Sequence, residues 1–458
     1  MTVRALLGLA ALNGAYAVLG VTLLWALRGL PRWADVLRLA GLGYLLGLAT
    51  FGIVWTQLLV VGVPFGGWGV VLSLVGGTAA AAAAGIVLHR PRPRGFGDPD
   101  RHTSGPALLV TACGIALAGL LLEAFFRSGR LQSLQAYDAW AFWVPKAKAI
   151  YYFGGLDHGL FTTLANPTYP PIVPILDAAA FHAMGSTDVI TFHLQYWFLV
   201  VGATAALAGC LYRHVPPWLL WPPLLLVLAV PRVASGLLIP QADVLVDVLF
   251  VVGVLLLALW LRDGRGWRLA AAGVLLAGAG LTKREGLFFA AAALAGTFAA
   301  SFARRRAAWP RLLAVAGLVA VAALPWRLWY STQGIGGEAP SDAGAGGSVD
   351  RMLDALRLSF DVLFDTTLWS VVPVVALVAV GAAFVWGDRR VAAFLAVVLA
   401  LVFLGGAWVT FAFRELPITA EEALNPIVRY TGAVVLLAAV ATPLLLASVW
   451  RSGSEASS

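Results

Sequence analysis

One short stretch of the sequence combines a carboxylate with aromatic rings and two lysines. Its carboxylate is Asp138, which follows the polar residues 133–136. A positioned carboxylate can take the proton of a hydroxyl group and so act as a general base. Trp and Tyr are common at membrane interfaces in any case, and Asp138 could instead cap the helix that follows it. The other members of the stretch are Tyr137, Trp140, Trp143, Lys146 and Lys148.

A second candidate element surrounds Tyr169, which lies between Pro167 and the pair Pro170 and Pro171. Proline fixes its own backbone angle and disfavours helix in the residue before it. The sequence therefore predicts a rigid turn that can hold Tyr169 beside a pocket.

Four cationic side chains fall at the ends of apolar runs, where they are able to meet a phosphate group. Arginine binds phosphate through forked donors and lysine through a compact charge. The alternative for each is simple snorkelling to the lipid headgroups. For the last of the four, pairing with Glu415, Glu421 or Glu422 is also open. The four are Lys283, Arg284, Arg327 and Arg429.

Acidic residues also occur inside apolar runs. Asp243 and Asp247 are four positions apart and share a helix face. Charge within a membrane span is costly and usually functional, so Asp243 is a candidate for the site, with pairing to Arg232 as the alternative. Glu285, beside Lys283, is a further candidate. No cysteine or histidine spacing indicates a metal, and Cys113 and Cys210 fit small buried side chains.

The composition places these groups in a membrane protein. Of the 458 residues, 60% are hydrophobic and 12% are charged, whereas soluble domains carry about 25% charged residues. Apolar runs near the length of a bilayer crossing recur along the whole chain. The fold class expected is therefore all-α integral membrane, with about thirteen transmembrane helices. The predicted spans cover residues 5–27, 39–62, 67–88, 106–126, 190–211, 216–235, 240–261, 268–283, 286–303, 311–330, 367–386, 391–412 and 430–450.

The charges between the spans predict the orientation. One set of connections holds 18 of the 31 basic residues and only six of the 23 acids. By the positive-inside rule this set is cytoplasmic, which puts the N-terminus outside and the C-terminus inside the cell membrane. The net charge of +8 is explained by topology, because no aromatic-basic motif for nucleic acid is present.

The connections divide the chain into two units. Residues 1–104 form a three-span unit with a basic, proline-rich linker, and residues 105–458 form a catalytic core. The core has long external loops at 127–189, 331–366 and 413–429. Helices at the membrane interface are expected at about 138–153, 171–184 and 349–364, with flexible composition before the last.

The ordered motifs resemble the GT-C superfamily of membrane glycosyltransferases, which take a sugar from a polyprenyl-phosphate donor. The dolichyl-phosphate-mannose-protein mannosyltransferases are of this type. The resemblance covers residues 106–450. It is carried by Asp138 with Trp140 and Trp143, Tyr169-Pro170-Pro171, Thr282-Lys283-Arg284-Glu285-Gly286, Leu324-Pro325-Trp326-Arg327 and Asn425-Pro426 before Arg429-Tyr430.

The resemblance implies a GT-C fold in which an external aspartate acts as the base and the sugar inverts as the lipid phosphate leaves. Asp138 takes this place, and the four cations take that of the donor-phosphate ligands. The pocket would be lined by Tyr137, Trp140, Trp143, Lys146, Lys148, Tyr169, Asp243 and Glu285. Asp138 has no acidic neighbour, so no metal cofactor is expected, and a divalent metal ion is the alternative that no paired-acid motif supports. The acceptor is a glycan, a lipid or a protein.

A second function class stays open on the sequence alone. A lipid-linked sugar flippase or transporter would use the same lipid partner. Transporters, however, favour internal repeats and broken helices with charges near the midplane. The candidate residues here lie instead at span ends and in loops, which favours surface chemistry.

Overall fold

The computed structural model describes residues 2–96, 104–302, 306–335, 349–413 and 420–456. Within these ranges the chain is helical and forms no strand. The all-α prediction is therefore confirmed, and the apolar character of the helices agrees with a membrane protein.

The described residues form nineteen α-helices, with a π-helical turn at Ala139–Trp143 and a 3-10 turn at Arg306–Ala308. The helices are α1 (Val3–Arg28), α2 (Trp33–Val60), α3 (Gly67–Val87), α4 (Gly105–Gly129), α5 (Val144–Phe153), α6 (His158–Thr163), α7 (Ile172–Met184), α8 (Val189–Leu211), α9 (Pro217–Ala229), α10 (Pro231–Gly236), α11 (Ala242–Asp263), α12 (Gly266–Gly280), α13 (Arg284–Ser301), α14 (Trp309–Thr332), α15 (Val349–Leu363), α16 (Thr366–Trp369), α17 (Val372–Trp386), α18 (Arg389–Phe413) and α19 (Ala420–Ala456).

Nine of the described helices are long and apolar enough to cross a membrane. They are α1, α2, α3, α4, α8, α11, α14, and the greater parts of α18 and α19. The other four predicted spans coincide with α9 and α10 together, α12, α13 and α17. Of these, α9 contains Pro222 and Pro223 and ends at Ala229, because Val230, which precedes Pro231, takes an extended conformation. The apolar run is therefore divided into α9 and α10.

The N-terminal helices pack into the same hydrophobic core as the later ones. α2 lies against α1, α8 and α12, and α1 also contacts α7. At the crossing of α1 and α2 a Cβ atom on Gly20 would lie 1.7 Å from the Gly43 carbonyl oxygen. Only glycine permits this approach, so the two helices are held in close backbone contact.

Two antiparallel helices connect the ends of the bundle. α11 begins beside Asp243 and ends at Asp263, and α12 follows after Gly264 and Arg265. Gly264 has a φ of +71°, a conformation that suits glycine at the end of a helix. At about 1.5 Å per residue, α11 separates the groups at its two ends by roughly 30 Å.

The segment between α4 and α8 contains the predicted helices. Residues 138–153 form the π-helical turn and α5, residues 171–184 correspond to α7, and the short α6 lies between them. The amphipathic helix predicted at 349–364 is α15. Of the predicted flexible stretch at 333–348, residues 336–348 lie outside the described residues, as do residues 97–103 of the basic linker.

The predicted loop at 413–429 differs from the structure in its second half. Residues 414–419 lie outside the described part of the chain, but α19 already begins at Ala420. Arg429 is therefore on a helix instead of following a loop. Alanine and glutamate, the residues that open this helix, are strong helix formers.

Candidate active site

Asp138 forms an ion pair with Arg429 through its Oδ2 atom. The aspartate lies directly before the π-helical turn at Ala139–Trp143, and its side chain makes no capping hydrogen bond to that turn. Its side chain is 15% exposed. Among the described residues its Oδ1 atom accepts no hydrogen bond, so one oxygen of the carboxylate is held and the other is available.

Arg429 links this loop to α11. Its Nε atom lies 3.5 Å from Oδ2 of Asp243, and the side chain is 22% exposed. A guanidinium group presents donors on two edges, which suits it to join two carboxylates. Arg429 thereby fixes the position of Asp138 relative to the helical core.

Asp243 also contacts charged residues at the turn between α12 and α13. Its Oδ1 atom accepts a hydrogen bond of 2.8 Å from Lys283 Nζ, and the same ammonium lies 3.3 Å from Oε1 of Glu285. The Tyr430 hydroxyl donates to Oε1 of Glu285 at 2.9 Å. We refer to Asp138, Arg429, Asp243, Lys283 and Glu285 as the ion-pair chain, because their charges alternate in sign along it.

The reversal between α12 and α13 puts Lys283 into this position. Lys283 precedes the first residue of α13, and only 6% of it is exposed. The chain turns so tightly that a Cβ atom on Gly286 would lie 1.9 Å from the Ala279 carbonyl oxygen. Glycine is therefore required for steric reasons at the last position of the Thr-Lys-Arg-Glu-Gly motif, because α13 begins very close to the end of α12.

Both helical carboxylates of the ion-pair chain lie in the first turn of a helix. Asp243 opens α11 and Glu285 opens α13. The partial positive charge of a helix N-terminus stabilises an anion there. This adds to the effect of Lys283, which pairs with both.

Tyr169 covers the same group of charges from the loop before α7. Its ring stacks on Trp143 at a centroid distance of 5.6 Å, and the Arg284 guanidinium lies 5.3 Å above it. Burial raises the pKa of Tyr169 to about 12, with Lys283 opposing the shift and Glu285 adding to it. The hydroxyl is therefore protonated and uncharged at neutral pH.

Two hydrogen bonds fix the loop that carries Tyr169. Trp326 donates from its indole to the Thr168 carbonyl at 3.1 Å, and Ile172 donates from its backbone to the Leu281 carbonyl at 3.4 Å. The first joins the loop to α14 and the second to the end of α12. The prediction of a rigid turn at this position agrees with these contacts.

Several polar atoms around the ion-pair chain are buried and have no hydrogen-bond partner. Carboxylate acceptors of this kind suit ligand hydroxyl groups, and guanidinium donors suit phosphate oxygens. Both kinds lie side by side here, so the site can hold a ligand that carries a hydroxyl-rich part next to an anion. These atoms are Asp243 Oδ2, Glu285 Oε2, Arg429 Nε and Arg284 NH2.

The other residues predicted to line the pocket lie outside the ion-pair chain. Lys146 is 1% exposed and donates a hydrogen bond of 2.6 Å to the Asn166 carbonyl. This bond stabilises the loop that carries Tyr169. Tyr137 and Trp140 pack edge to face at 5.1 Å, and more than half of each is exposed. Neither Lys148, which is half-buried, nor the exposed Arg327 forms an ion pair with a described residue.

Two residues near the ion-pair chain were not among the predicted site residues. Tyr430 hydrogen-bonds Glu285, and Asp247 lies one turn beyond Asp243 within the field of Asp243, Lys283 and Glu285. The four-residue spacing from Asp243 was the signal for Asp247. The alternative in which Asp243 pairs with Arg232 is replaced by ion pairs with Lys283 and Arg429.

Two further predictions concern the glutamate partners of Arg429 and a metal site. Glu415 and the side chains of Glu421 and Glu422 lie outside what the structure describes. Among the described residues, no group of three or more His, Cys, Asp or Glu side chains is arranged to hold a metal ion.

No family model, curated protein or solved structure matches this chain. The geometry of the site and the motifs of the sequence therefore indicate the function.

Proposed function

We propose that this chain is an inverting glycosyltransferase that moves a sugar from a polyprenyl-phosphate donor to an acceptor hydroxyl. The acceptor oxygen forms a bond to the anomeric carbon while the bond from that carbon to the phosphate oxygen breaks. The acceptor proton passes to Asp138, and polyprenyl phosphate leaves with the electron pair. The resemblance to GT-C enzymes is the sequence basis of this proposal.

The observation that carries the proposal is the ion-pair chain itself. It brings a loop carboxylate together with Arg429 and Lys283, which lie 146 positions apart in the sequence. A base must stand next to the group that stabilises the leaving charge, because the two act on adjacent bonds of one transition state. Asp138 and Arg429 are in direct contact, which supports these two roles.

The donor phosphate has suitable partners in this group. Arg429 and Arg284 each have a buried guanidinium nitrogen without a hydrogen-bond partner. A phosphate there would share Arg429 with the carboxylates and so release part of the hold on Asp138. Oε2 of Glu285 is then an acceptor for a sugar hydroxyl. Oδ2 of Asp243, which has an ion pair with Arg429 at 3.5 Å but no hydrogen bond, is a second acceptor.

We also propose the full topology of thirteen crossings with a GT-C fold, with the N-terminus and the site on the external face of the cell membrane. The four shorter helical segments supply the crossings beyond the nine long helices. The gathering of Arg28, Arg38, Arg213, Arg265 and Arg268 around one cavity at the opposite end supports a cytoplasmic side there.

The experiment that tests the function is transfer by the purified full chain in liposomes. The donors are polyprenyl-phosphate monosaccharides with a radiolabelled sugar, and the acceptors are membrane glycans, lipids and proteins. We expect transfer of label from at least one donor only when an acceptor is present. Movement of the intact donor across the bilayer without an acceptor, and with no transfer in any combination, would instead indicate a flippase.

A further inference from the structure

A cavity lined by arginines lies at the end of the bundle opposite the ion-pair chain. Its volume is about 210 Å³, and it is formed where α1 ends, α2 begins, α8 ends and α12 begins. We call it the basic cavity. Its lining includes His214, Trp267 and the five arginines Arg28, Arg38, Arg213, Arg265 and Arg268.

The carboxylates around the basic cavity satisfy only part of this charge. Asp35 lies 2.9 Å from Arg38, 3.6 Å from Arg28 and 3.5 Å from Arg213. Asp263 lies 3.0 Å from Arg268 and 3.2 Å from Arg265. Asp35 and Asp263 are thus each shared by more than one guanidinium group. Like charges this close are unfavourable without a further anion.

Several donors in the basic cavity are buried without a hydrogen-bond partner. They include Nε of Arg268, NH1 of Arg28, Nε of Arg38 and the indole Nε1 of Trp267. Arg268 is only 5% exposed, so water cannot readily satisfy it. An unpaired buried donor on a charged group is costly, and a ligand that accepts these hydrogen bonds removes that cost.

The packing keeps these donors in place. The guanidinium groups of Arg28 and Arg268 each lie 5.4 Å from the ring of Trp267. NH2 of Arg268 donates to Nε2 of His214 at 3.0 Å. Burial, followed by the charge of Arg268, lowers the pKa of His214 to about 3, so this histidine is neutral and accepts the bond. The arginines are held without adding another charge.

We propose that the basic cavity is a binding site for a phosphate group, carried either by a small soluble anion or by an anionic lipid headgroup. Its volume is below the roughly 300–1,000 Å³ of pockets for drug-sized ligands, which favours one or two phosphates over a whole nucleotide. Forked guanidinium donors match phosphate oxygens. α11 separates this site from the ion-pair chain by roughly 30 Å, so it is a second site, independent of the proposed transfer reaction.

Binding is tested with the full chain in a maltoside detergent. One arm titrates inorganic phosphate and inorganic pyrophosphate by calorimetry. The other arm adds phosphatidylglycerol or phosphatidylcholine and counts bound lipid by native mass spectrometry. Binding in the first arm assigns a soluble anion, and preferential binding of phosphatidylglycerol in the second assigns a lipid headgroup. Absence of binding in both arms overturns the proposal.

Variants locate the binding. Arg265→Gln changes a side chain that is 56% exposed and should leave the fold intact. We expect it to weaken binding about tenfold, since it removes a charge-assisted hydrogen-bond donor to the phosphate. Arg268→Lys, which keeps the charge but loses the fork, should weaken it less than Arg268→Gln does. The matched control is Arg389→Gln, an arginine outside the cavity that bonds the Phe384 carbonyl. Equal binding by Arg265→Gln and the unaltered chain, or an equal loss in the control, would refute the site.

Discussion

Asp138 and Arg429 are in contact although 291 positions separate them in the sequence. The contact joins the loop after α4 to the start of the last described helix, and through Asp243 it reaches the reversal after α12. A loop that ends on a buried charge network is fixed in position. This relationship underlies the role assigned to Asp138.

Loss of Lys283 should destabilise the protein as well as weaken donor binding. Lys283→Ala leaves Asp243 and Glu285 without their shared cation, and breaking a buried pair on one side costs about 3–5 kcal/mol. We expect a clear fall in the thermal unfolding temperature in detergent. Adding Asp243→Asn to this variant should restore part of the stability. Lys148→Ala is the control, and an equal loss of stability there would contradict the network.

Arg429 should not be replaceable by lysine. A single ammonium group cannot contact Asp138 and Asp243 with the two edges of a planar fork. Arg429→Lys is expected to reduce the rate of sugar transfer at least tenfold, whereas Arg327→Lys should retain it within about twofold, because Arg327 is exposed and outside the chain of ion pairs. Rates of both variants come from one donor assay. Equal losses would show that fork geometry at position 429 has no special role.

The tight reversal at Gly286 gives a prediction that is independent of catalysis. A Cβ atom there would meet the Ala279 carbonyl oxygen at 1.9 Å, so Gly286→Ala must displace α13. Unfolding measurements in mixed micelles should show a loss of about 1–3 kcal/mol, as for other overpacked sites. Gly119→Ala on α4, which meets no atom within 4 Å, should be neutral or stabilising. A neutral result at Gly286 would mean that the close approach of α12 and α13 is wrong.

Tyr169 should make stability depend on pH in the alkaline range. Its folded-state pKa of about 12 lies above the ordinary value of 10.0, so folding favours the protonated phenol. This contribution is present below pH 10 and is lost as the pH rises from about 10 to 12. The phenylalanine of Tyr169→Phe cannot ionise. Between pH 10 and 12 we therefore expect the unaltered chain to lose on the order of 2 kcal/mol more unfolding free energy than this variant. Identical alkaline profiles for the two proteins would exclude a buried phenol.

Much of the helical architecture followed from the sequence, because apolar length and turn residues are local signals. The helices at α5, α7 and α15 agree with their predicted ranges. The start of α19 differs from the predicted loop, because the polar residues from Ala420 on have high helix propensity although they lack an apolar pattern. α9 and α12 are also shorter than full crossings, because α9 ends before Pro231 and α12 ends at the tight reversal after Gly280.

The site was only partly accessible from the sequence. All five residues of the ion-pair chain are predictable as site residues, because charged residues beside apolar runs are conspicuous in the sequence. Their ion pairs are not predictable, since the partner of Asp243 depends on which helices are neighbours. The bracing position of Lys146 was likewise missed: its neighbours Trp143 and Lys148 gave no sign that its ammonium group turns inward to the Asn166 carbonyl.

The most direct measurement is the rate of sugar transfer by Asp138→Asn in liposomes that contain donor and acceptor. Asparagine keeps the size of the side chain but cannot take the acceptor proton. The account predicts a rate at least 100-fold lower, since general bases contribute about 10²–10⁴. Binding of polyprenyl phosphate, measured in parallel, should stay within a few-fold, because Arg429 and Lys283 are unchanged. Transfer at the full rate by this variant would contradict the assignment of Asp138 as the base.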